Sequence, residues 1–368
     1  MPIFPFYLMD KRTNTLYLIR FLAALVIIIY HYTPAPLKPS LDPIIKNGNE
    51  AVNLFFFISG FVLIISNASY LGSAESRFPV RFFYVKRVAR IYPLYILAIL
   101  VLAAFHYWIK SIDTSTVKYR LPFELPGIQR WLYAGSFNYP GWSISCEFFF
   151  YLLFPFIIQG LKRNARVFTM FVLTYWLIAM WATYSLSAVG KGSLPLLHPR
   201  LVSTLFMHPV LLISIFMCGM LTGKWYTENK FAFIKKTPLN IVLLIVTCAL
   251  IVALKNYLPT GSGLLKGGLF APLYFMLIYA IINLSGRWAL LLSNPLFIFL
   301  GEISYAMYIF QYPIYVFYTH FLQEVTGYLS LLSFTATVII TAGVLHLLIE
   351  KPFRKAIISY YAAKTNQT

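Results

Sequence analysis

An arginine and a histidine interrupt the first strongly apolar stretch of the sequence, LYLIRFLAALVIIIYHY. Arg20 and His31 are eleven residues apart, so at about 100° per residue they fall within about 20° of one helix face, about 16 Å apart along the axis. An arginine at the centre of a membrane helix costs about 3 kcal/mol, so it usually faces protein or water. Histidine changes charge near neutral pH and can transfer protons there. The pair indicates either a shared interior site reached from two depths, or an interfacial anchor at Arg20 with a capped His31 at the other end.

A second pair of cations stands in the segment KRVARIYPLY. Arg87 and Arg90 are one helical turn apart, so on a helix their guanidinium groups form a fork suited to phosphate oxygens. The same spacing fits simple anchoring, because basic residues collect at the cytoplasmic ends of membrane helices. Spacing alone does not separate these two interpretations.

A carboxylate lies within another apolar stretch, GWSISCEFFFY. Glu147 needs a partner there, and it is either half of an ion pair or a general acid or base. Ser143 shares a helix face with Glu147, whereas Ser145 lies about 200° from it and points elsewhere unless this turn is not helical. Trp142 and Ser145 are further candidates at the start of this stretch.

Tyrosines follow one face of the segment ISYAMYIFQYPIY. Tyr305, Tyr308, Tyr312 and Tyr315 recur at helical spacing. Such a stripe indicates a platform for a sugar or an isoprenoid chain, although tyrosine stripes also arise from packing.

Motifs for a resident metal or nucleotide are absent from the sequence. It has no HExxH, no paired cysteines, no GxxxxGK[ST] loop and no GxSxG elbow. We therefore predict no metal site and no permanently bound cofactor. His346 and Glu350, four residues apart at the end of the last apolar stretch, are expected to form a satisfied pair.

Long apolar stretches must position all of these residues. Of the 368 residues, 60% are hydrophobic and 11% are charged, which is typical of polytopic membrane proteins. A spanning helix needs about 20 mostly apolar residues, and ten stretches reach that length. The predicted fold is all-α, with about ten transmembrane helices in a single domain over residues 1–368. The predicted spans are 15–34, 51–70, 88–109, 141–161, 167–189, 207–225, 238–256, 268–286, 295–317 and 329–350.

The basic residues favour one orientation of these spans. If the chain starts in the cytoplasm and crosses ten times, 19 of the 30 Lys and Arg residues fall in cytoplasmic segments and 10 in outer loops, as the positive-inside rule requires. Both termini are therefore predicted to be cytoplasmic. Orientation also accounts for most of the net charge of +19, so membrane lipids are expected partners and nucleic acid is not.

Taken together, these motifs resemble the type-three membrane acyltransferase family, whose members O-acetylate bacterial surface polysaccharides such as O-antigen. Each motif is weak alone, but five occur in the family's order along the chain. The matching segments are Arg20-x10-His31, LFFFISGF in the second span, Arg87-x-x-Arg90 followed by IYPLY, WSISCEFFFY from Trp142, and GEISYAMYIFQYPI with the closing EKPFR.

The resemblance implies a role for each group of residues. His31 resembles the family's essential histidine, a general base or an acyl acceptor, and Ser145 and Glu147 are further catalytic candidates near the acceptor. The residues expected to hold acyl-CoA from the cytoplasmic side are Arg20, Arg87 and Arg90. The residues expected to bind the acceptor are Trp142, Tyr305, Tyr308 and Gln311.

The resemblance also implies a reaction and a location. We expect transfer of acetyl from cytoplasmic acetyl-CoA to a sugar hydroxyl of a surface polysaccharide or its lipid-linked precursor, at the bacterial inner membrane. Transfer of succinyl or another acyl group to a glucan or a secreted small molecule fits the same motifs. A transporter of a glycan intermediate is the alternative from a different class. The oligomeric state stays open.

Two residues depart from the family pattern. Gln311 stands where a histidine is common, which favours a hydrogen-bonding role, and Asn53 stands where an aspartate is common. Some members carry a further, secreted esterase-like domain, and none is expected here.

Overall fold

The computed structural model describes residues 11–73, 75–111, 113–132, 135–188, 204–231, 237–258 and 262–365, and most of these are helical. Long apolar runs give long helices, because in lipid the backbone must satisfy its hydrogen bonds within the segment. The main helices, numbered in chain order, are α1 (Leu16–Tyr32), α2 (Gly48–Ser66), α3 (Val80–Trp108), α4 (Gly141–Arg163), α5 (Ala165–Ala188), α6 (Pro209–Thr227), α7 (Thr237–Tyr257), α8 (Ala271–Ile282), α9 (Pro295–Phe321), α10 (Tyr328–Leu345) and α11 (Lys351–Thr365).

The structure confirms an all-α, polytopic membrane fold. Eight helices in the described ranges are long and apolar enough to cross a membrane, and a bent pair brings the number to nine. α9 has 27 residues but is not one of the eight, because its tyrosines, Glu302 and Gln311 lower its mean hydropathy. The predicted fifth span ends at residue 189, which lies outside the described residues, as do residues 1–10 and 366–368.

The predicted span over 268–286 is wrong as a single straight helix. α8 has 12 residues, which extend only about 18 Å, less than the hydrocarbon core of about 30 Å. The helix Gly286–Leu292 follows it at an angle of 107°. Two short helices therefore replace one span.

α3 begins earlier than predicted. The sequence indicated a start near residue 88, but one continuous helix of 29 residues starts at Val80. Pro93 lies inside this helix. The added turns pack on a segment distant in sequence, since the ring of Phe82 stacks on Tyr361 of α11, with centroids 5.9 Å apart.

Glycines let α2 and α6 approach closely. A Cβ atom at Gly60 would collide with the carbonyl oxygen of Phe216, and one at Gly219 would collide with that of Phe57. Small residues are favoured at such contacts because membrane helices associate through close packing rather than through the hydrophobic effect. This pair forms one wall of the bundle and leaves another face of α2 for the site.

A buried ion pair ties α2 to α7. Glu50 and Lys255 are each 4% exposed, and Nζ of Lys255 lies 3.1 Å from Oε1 of Glu50. The hydroxyl of Tyr274 in α8 donates to the other carboxylate oxygen at 2.9 Å, and the amide of Asn53 lies 3.4 Å from it. Asn53 therefore contacts a carboxylate on its own helix, that of Glu50, one turn earlier.

Candidate active site

A cavity of about 320 Å³ lies between α1, α2, α3, α4 and α9, with α11 contributing to its wall. Each helix turns one row of side chains inward, so residues far apart in sequence meet there. We call this space the central cavity. The predicted site residues that line it are Arg20, Arg87, Arg90, Glu147, Tyr305 and Tyr308.

The central cavity carries more basic than acidic side chains. Its two carboxylates belong to Glu147 and Glu302. Within the described ranges, neither Arg20 nor Arg87 has a carboxylate oxygen within 4.0 Å, and Nε of Arg87 is buried without a hydrogen-bond partner. Cations held away from bulk water attract anions strongly, so the cavity suits a ligand with several negative charges. The basic lining residues are Arg20, Lys86, Arg87, Arg90 and Arg354.

Arg90 differs from the other two arginines because a carboxylate holds it. Its Nη1 lies 2.8 Å from Oε1 of Glu350, and the other oxygen of Glu350 lies 2.9 Å from Nδ1 of His346. Nε2 of His346 is 3.5 Å from Glu302. The predicted pair of His346 and Glu350 is thereby confirmed, on a π turn between α10 and α11. By holding the guanidinium of Arg90, Glu350 fixes the direction in which that group faces the cavity.

Glu147 is hydrogen-bonded within the cavity wall. The hydroxyl of Tyr151, one turn later, donates to its Oε2 at 3.1 Å, and that hydroxyl lies 2.9 Å from the hydroxyl of Ser59. No basic group of the described chain lies within 4.0 Å of Glu147. Its carboxylate therefore faces the basic cavity without forming a direct ion pair.

α4 turns Ser145 away from the central cavity. The helix already begins at Gly141, so Ser143 and Glu147 line the cavity together and Ser145 points to the opposite side. The hydroxyl of Ser145 is fully buried and accepts a hydrogen bond from the backbone N–H of Arg130 at 3.1 Å. Its hydroxyl therefore contributes to packing between α4 and the segment before it, and does not face the central cavity.

Trp142 also lies outside the lining of the central cavity. Its ring packs edge to face on Phe56, with centroids 6.3 Å apart, and the guanidinium of Arg130 lies 6.0 Å from its centroid. These contacts join α4 to α2 and to the loop before α4. The role of Trp142 in acceptor binding stays a prediction, and it would have to be exercised outside the central cavity.

Tyr305 and Tyr308 line the cavity but use their hydroxyl groups within the protein. The hydroxyl of Tyr305 donates to the carbonyl of Ile91 at 2.8 Å, and the hydroxyl of Ser143 donates to that of Tyr308 at 2.7 Å. Both rings are therefore fixed. Their aromatic surfaces, not their hydroxyl groups, face a ligand in this space.

His31 does not line the central cavity, and Gln311 sets its tautomer. Nε2 of Gln311 donates to the carbonyl of Tyr308 at 2.8 Å, which directs the amide oxygen to His31 at 3.2 Å from Nδ1. An amide oxygen can only accept, so the proton of the neutral imidazole lies on Nδ1. The lone pair is left on Nε2, where it can take a proton.

A proline in α9 fixes the loop before α4. Pro313 has no N–H, so the carbonyl of Ile309 lacks its usual helical donor, and Nδ2 of Asn138 donates to it at 3.0 Å. The backbone N–H groups of Phe137 and Asn138 donate to the carboxylate of Glu124 at 2.5 and 3.0 Å. Sequence reasoning missed this clamp, although a proline inside an apolar helix is a readable signal of a free carbonyl.

The clamped loop carries Tyr139 to His31. The two ring centroids are 4.9 Å apart and the rings are nearly perpendicular, at 85°. Tyr139 is 49% exposed, so its ring borders both the histidine and the surroundings of the protein. No family motif in the sequence pointed to this residue.

Glu124 is a titratable group of this loop, outside the spanning helices. Burial raises the pKa of Glu124 to about 7. The two backbone N–H groups act in the opposite direction and lower this pKa, because they favour the charged carboxylate. The side chain is 1% exposed. Burial is the larger effect, so this carboxyl changes charge near neutral pH.

Most of the chain matches a family of known proteins. The type-3 acyltransferase family model, described as an acyltransferase domain, matches residues 14–348. The chain belongs to the type-3 acyltransferase family. The matched region contains α1, α2, α3, α4 and α9, the five helices around the central cavity, and it confirms the resemblance inferred from the motifs.

Two curated proteins that the chain matches show low identity or partial coverage. A Staphylococcus aureus (strain COL) protein named "Putative O-acetyltransferase" is 23% identical over 363 residues, which are 92% of this chain and 56% of the relative. Acyltransferase MdmB of Streptomyces mycarofaciens is 32% identical over 149 residues, which are 37% of each protein. The chain thus spans about half, or less, of the length of these curated relatives. No solved structure matches it.

Proposed function

We propose that this family member transfers acetyl from acetyl-CoA to a hydroxyl of a surface polysaccharide or its lipid-linked precursor, in the bacterial inner membrane. One observation carries the proposal: α1 joins two complementary sites. Arg20 lines a cavity with excess positive charge, and His31, on the same helix, has Nε2 free for proton transfer because Gln311 holds Nδ1. Relatives named as an acyltransferase and as O-acetyltransferases support this reaction class.

In this proposal the central cavity binds the donor. Acetyl-CoA carries phosphate groups, and guanidinium groups bind phosphate oxygens through pairs of hydrogen bonds. Arg20 and Arg87 have no carboxylate partner in the described ranges. A phosphate group that binds them would therefore not have to displace a carboxylate. Glu147 lowers the mutual repulsion of these cations while the donor is absent. The mouth with Lys86 and Arg354 faces the cytoplasm, where acetyl-CoA is made, and both termini lie on that side.

His31 acts as the general base in this proposal. Its Nε2 takes the proton of the acceptor hydroxyl while the hydroxyl oxygen attacks the thioester carbonyl carbon. The carbon–sulfur bond then breaks, the acetyl ester forms, and the imidazolium gives its proton to the departing thiolate, which leaves as the thiol of CoA. Gln311 keeps the ring in one orientation throughout, as partners of catalytic histidines commonly do. Such a base contributes about 10²- to 10⁴-fold in rate.

The test uses the full chain in lipid nanodiscs. Acetyl-CoA labelled in its acetyl group is the donor, and host polysaccharide stripped of O-acetyl groups by mild alkali is the acceptor. We expect ester-linked label with the wild type and a loss of about 10²- to 10⁴-fold with His31→Ala. His320→Ala is the matched control, because His320 is exposed near the end of α9.

Two outcomes of this test count against separate parts of the proposal. Full transfer by His31→Ala would remove the histidine from the mechanism while leaving the reaction in place. No transfer by the wild type would overturn the O-acetylation of this polysaccharide.

A further inference from the structure

Tyr139 is the residue outside α1 whose ring contacts His31, among the residues that the structure describes. The reaction proposed above assigns nothing to it. Its phenol oxygen has no hydrogen-bond partner within the described ranges, and about half of the residue is exposed, at 49%. An acceptor that approaches Nε2 of His31 from this side must pass the Tyr139 ring.

The position of Tyr139 is fixed more firmly than that of an ordinary loop residue. The preceding residue, Asn138, is fully buried and is bonded through its side chain to Ile309 and through its backbone to Glu124. The carbonyl of Glu124 in turn accepts a hydrogen bond from the hydroxyl of Tyr95 at 2.6 Å. The following residues, from Gly141, are already helical.

One segment of α9 holds two residues outside α1 that contact His31, namely Gln311 and, through Asn138, Tyr139. Gln311 and the free carbonyl of Ile309 lie two residues apart, and the first bonds His31 while the second anchors Asn138. The imidazole and the Tyr139 ring therefore keep their relative placement if α9 moves. Such a fixed aromatic ring beside a reacting group is a means of orienting a substrate, because little side-chain freedom remains to be lost on binding.

We propose that Tyr139 is an acceptor-positioning residue: its ring packs against the apolar face of a pyranose, so that a hydroxyl of that sugar reaches Nε2 of His31. This inference rests on the proposed function. A pyranose presents C–H groups on one face and hydroxyl groups at its edge. An aromatic ring with a negative face attracts such C–H groups. The acceptor class is therefore a sugar with one uncrowded face.

The test measures KM for each of the two substrates separately, by steady-state kinetics of the full chain in nanodiscs. The probes are acetyl-CoA and the alkali-treated host polysaccharide. We expect Tyr139→Ala to raise KM for the polysaccharide about tenfold, since the sugar loses the aromatic surface on which it packs, and to leave KM for acetyl-CoA unchanged. Tyr139→Phe should stay close to the wild type, whereas Tyr139→Leu should resemble Tyr139→Ala.

Two further variants test whether position matters as well as the ring. Asn138→Ala removes the bond to Ile309 and should also raise KM for the polysaccharide, with KM for acetyl-CoA unchanged. Tyr107→Ala is the matched control, because Tyr107 is a tyrosine near the end of α3 that is 77% exposed.

The outcomes distinguish this inference from the function on which it rests. An unchanged KM for the polysaccharide in Tyr139→Ala, or equal values for Tyr139→Leu and Tyr139→Phe, would overturn the role of the ring while the wild type still transfers acetyl. If Tyr139→Ala does not fold, the role of the ring is decided by comparing KM for the polysaccharide in Tyr139→Leu and Tyr139→Phe. A wild type without transfer would instead overturn the proposed function, and this inference with it.

Discussion

At the scale of single residues, two hydrogen bonds determine which nitrogen of His31 can act as a base. Gln311 has a donor and an acceptor, and its donor is already committed to the main chain of Tyr308. The acceptor must then face His31. A histidine in place of Gln311 could contact His31 either as a hydrogen-bond donor or as an acceptor, depending on its tautomer. The amide oxygen of Gln311 can only accept. The glutamine that departs from the family pattern thus imposes a stricter restraint.

Replacing Gln311 tests this restraint. We expect Gln311→Leu to lower kcat about 10- to 100-fold, since the imidazole loses the partner that fixes its tautomer, and to leave KM for acetyl-CoA unchanged. The leucine has a similar volume at a fully buried position, so the fold should persist. Gln159→Leu, on the exposed side of α4, is the control. An unaltered kcat in Gln311→Leu would show that the amide does not restrain His31.

Arg87 is the residue at which the shape of the cation should matter. A lysine keeps the charge but offers one point of contact instead of a planar fork, so we expect Arg87→Lys to raise KM for acetyl-CoA about tenfold. KM for the polysaccharide should not change. Arg81→Lys is the control, since Arg81 lies on the same helix but is exposed and outside the cavity lining. Equal effects on both substrates would argue against a donor site at Arg87.

At the scale of helices, the wall formed by α2 and α6 depends on its glycines. A Cβ at Gly219 would meet a main-chain carbonyl, which cannot rotate away as a side chain can. We expect Gly219→Ala to lower the free energy of unfolding by about 1–3 kcal/mol, measured by denaturant unfolding in mild detergent. Gly160→Ala on α4, where nothing lies within 4 Å of the added atom, should be neutral or stabilising by up to about 1 kcal/mol. Similar stability of both variants would show that α2 and α6 are not in close contact.

The loop before α4 should respond to pH through Glu124. Its pKa is about 7 in the closed loop, against about 4.3 for a solvated glutamate. The protonated carboxyl of Glu124 therefore stabilises the folded, clamped loop, and this contribution is complete below about pH 4.3. It is lost as the pH rises through about 7 and the carboxyl ionises. We expect proteolytic cleavage of the loop, relative to an unstructured peptide, to be faster at pH 8 than at pH 5. Glu124→Gln, which cannot ionise, should abolish the difference, and faster cleavage at the lower pH would contradict the assignment.

At the scale of the whole molecule, the orientation of the central cavity can be measured directly. Arg354 lines the cavity from α11 and is partly exposed. If this side faces the cytoplasm, a cysteine introduced by Arg354→Cys should react with a membrane-impermeant thiol reagent in inverted vesicles and not in intact cells. The unmodified chain, which keeps Cys146, Cys218 and Cys248, provides the background. Labelling in intact cells would reverse the proposed topology.

Features that depend on helical periodicity could be predicted from the sequence. Arg87 and Arg90 share one helix face as their spacing predicted, and both line the central cavity. The angle between Ser145 and Glu147 predicted that a helix would place these two side chains on different faces. Ser145 is a catalytic candidate because it matches the family motif at the start of α4. Because the helix begins at Gly141, the two side chains do lie on different faces.

Features that depend on contacts between distant segments could not be predicted. The first turns of α3 contact α11 through Phe82 and Tyr361. The segment that carries Tyr139 is held by a bond across 171 residues, between Asn138 and Ile309. Periodicity carries no information about such pairs. The proline at 313 showed that a carbonyl would be free, but not which side chain would reach it.

The bond between Gln311 and the carbonyl of Tyr308 has a consequence for sequence variation. That anchor is a main-chain atom, so it is retained whatever side chain occupies position 308. The side chain at 308 forms part of the wall of the central cavity. A substitution at this position therefore changes the shape of the cavity wall but leaves the main-chain anchor of Gln311 in place. If the central cavity holds the donor as proposed, variation at position 308 would alter donor preference and leave the restraint on the histidine unchanged.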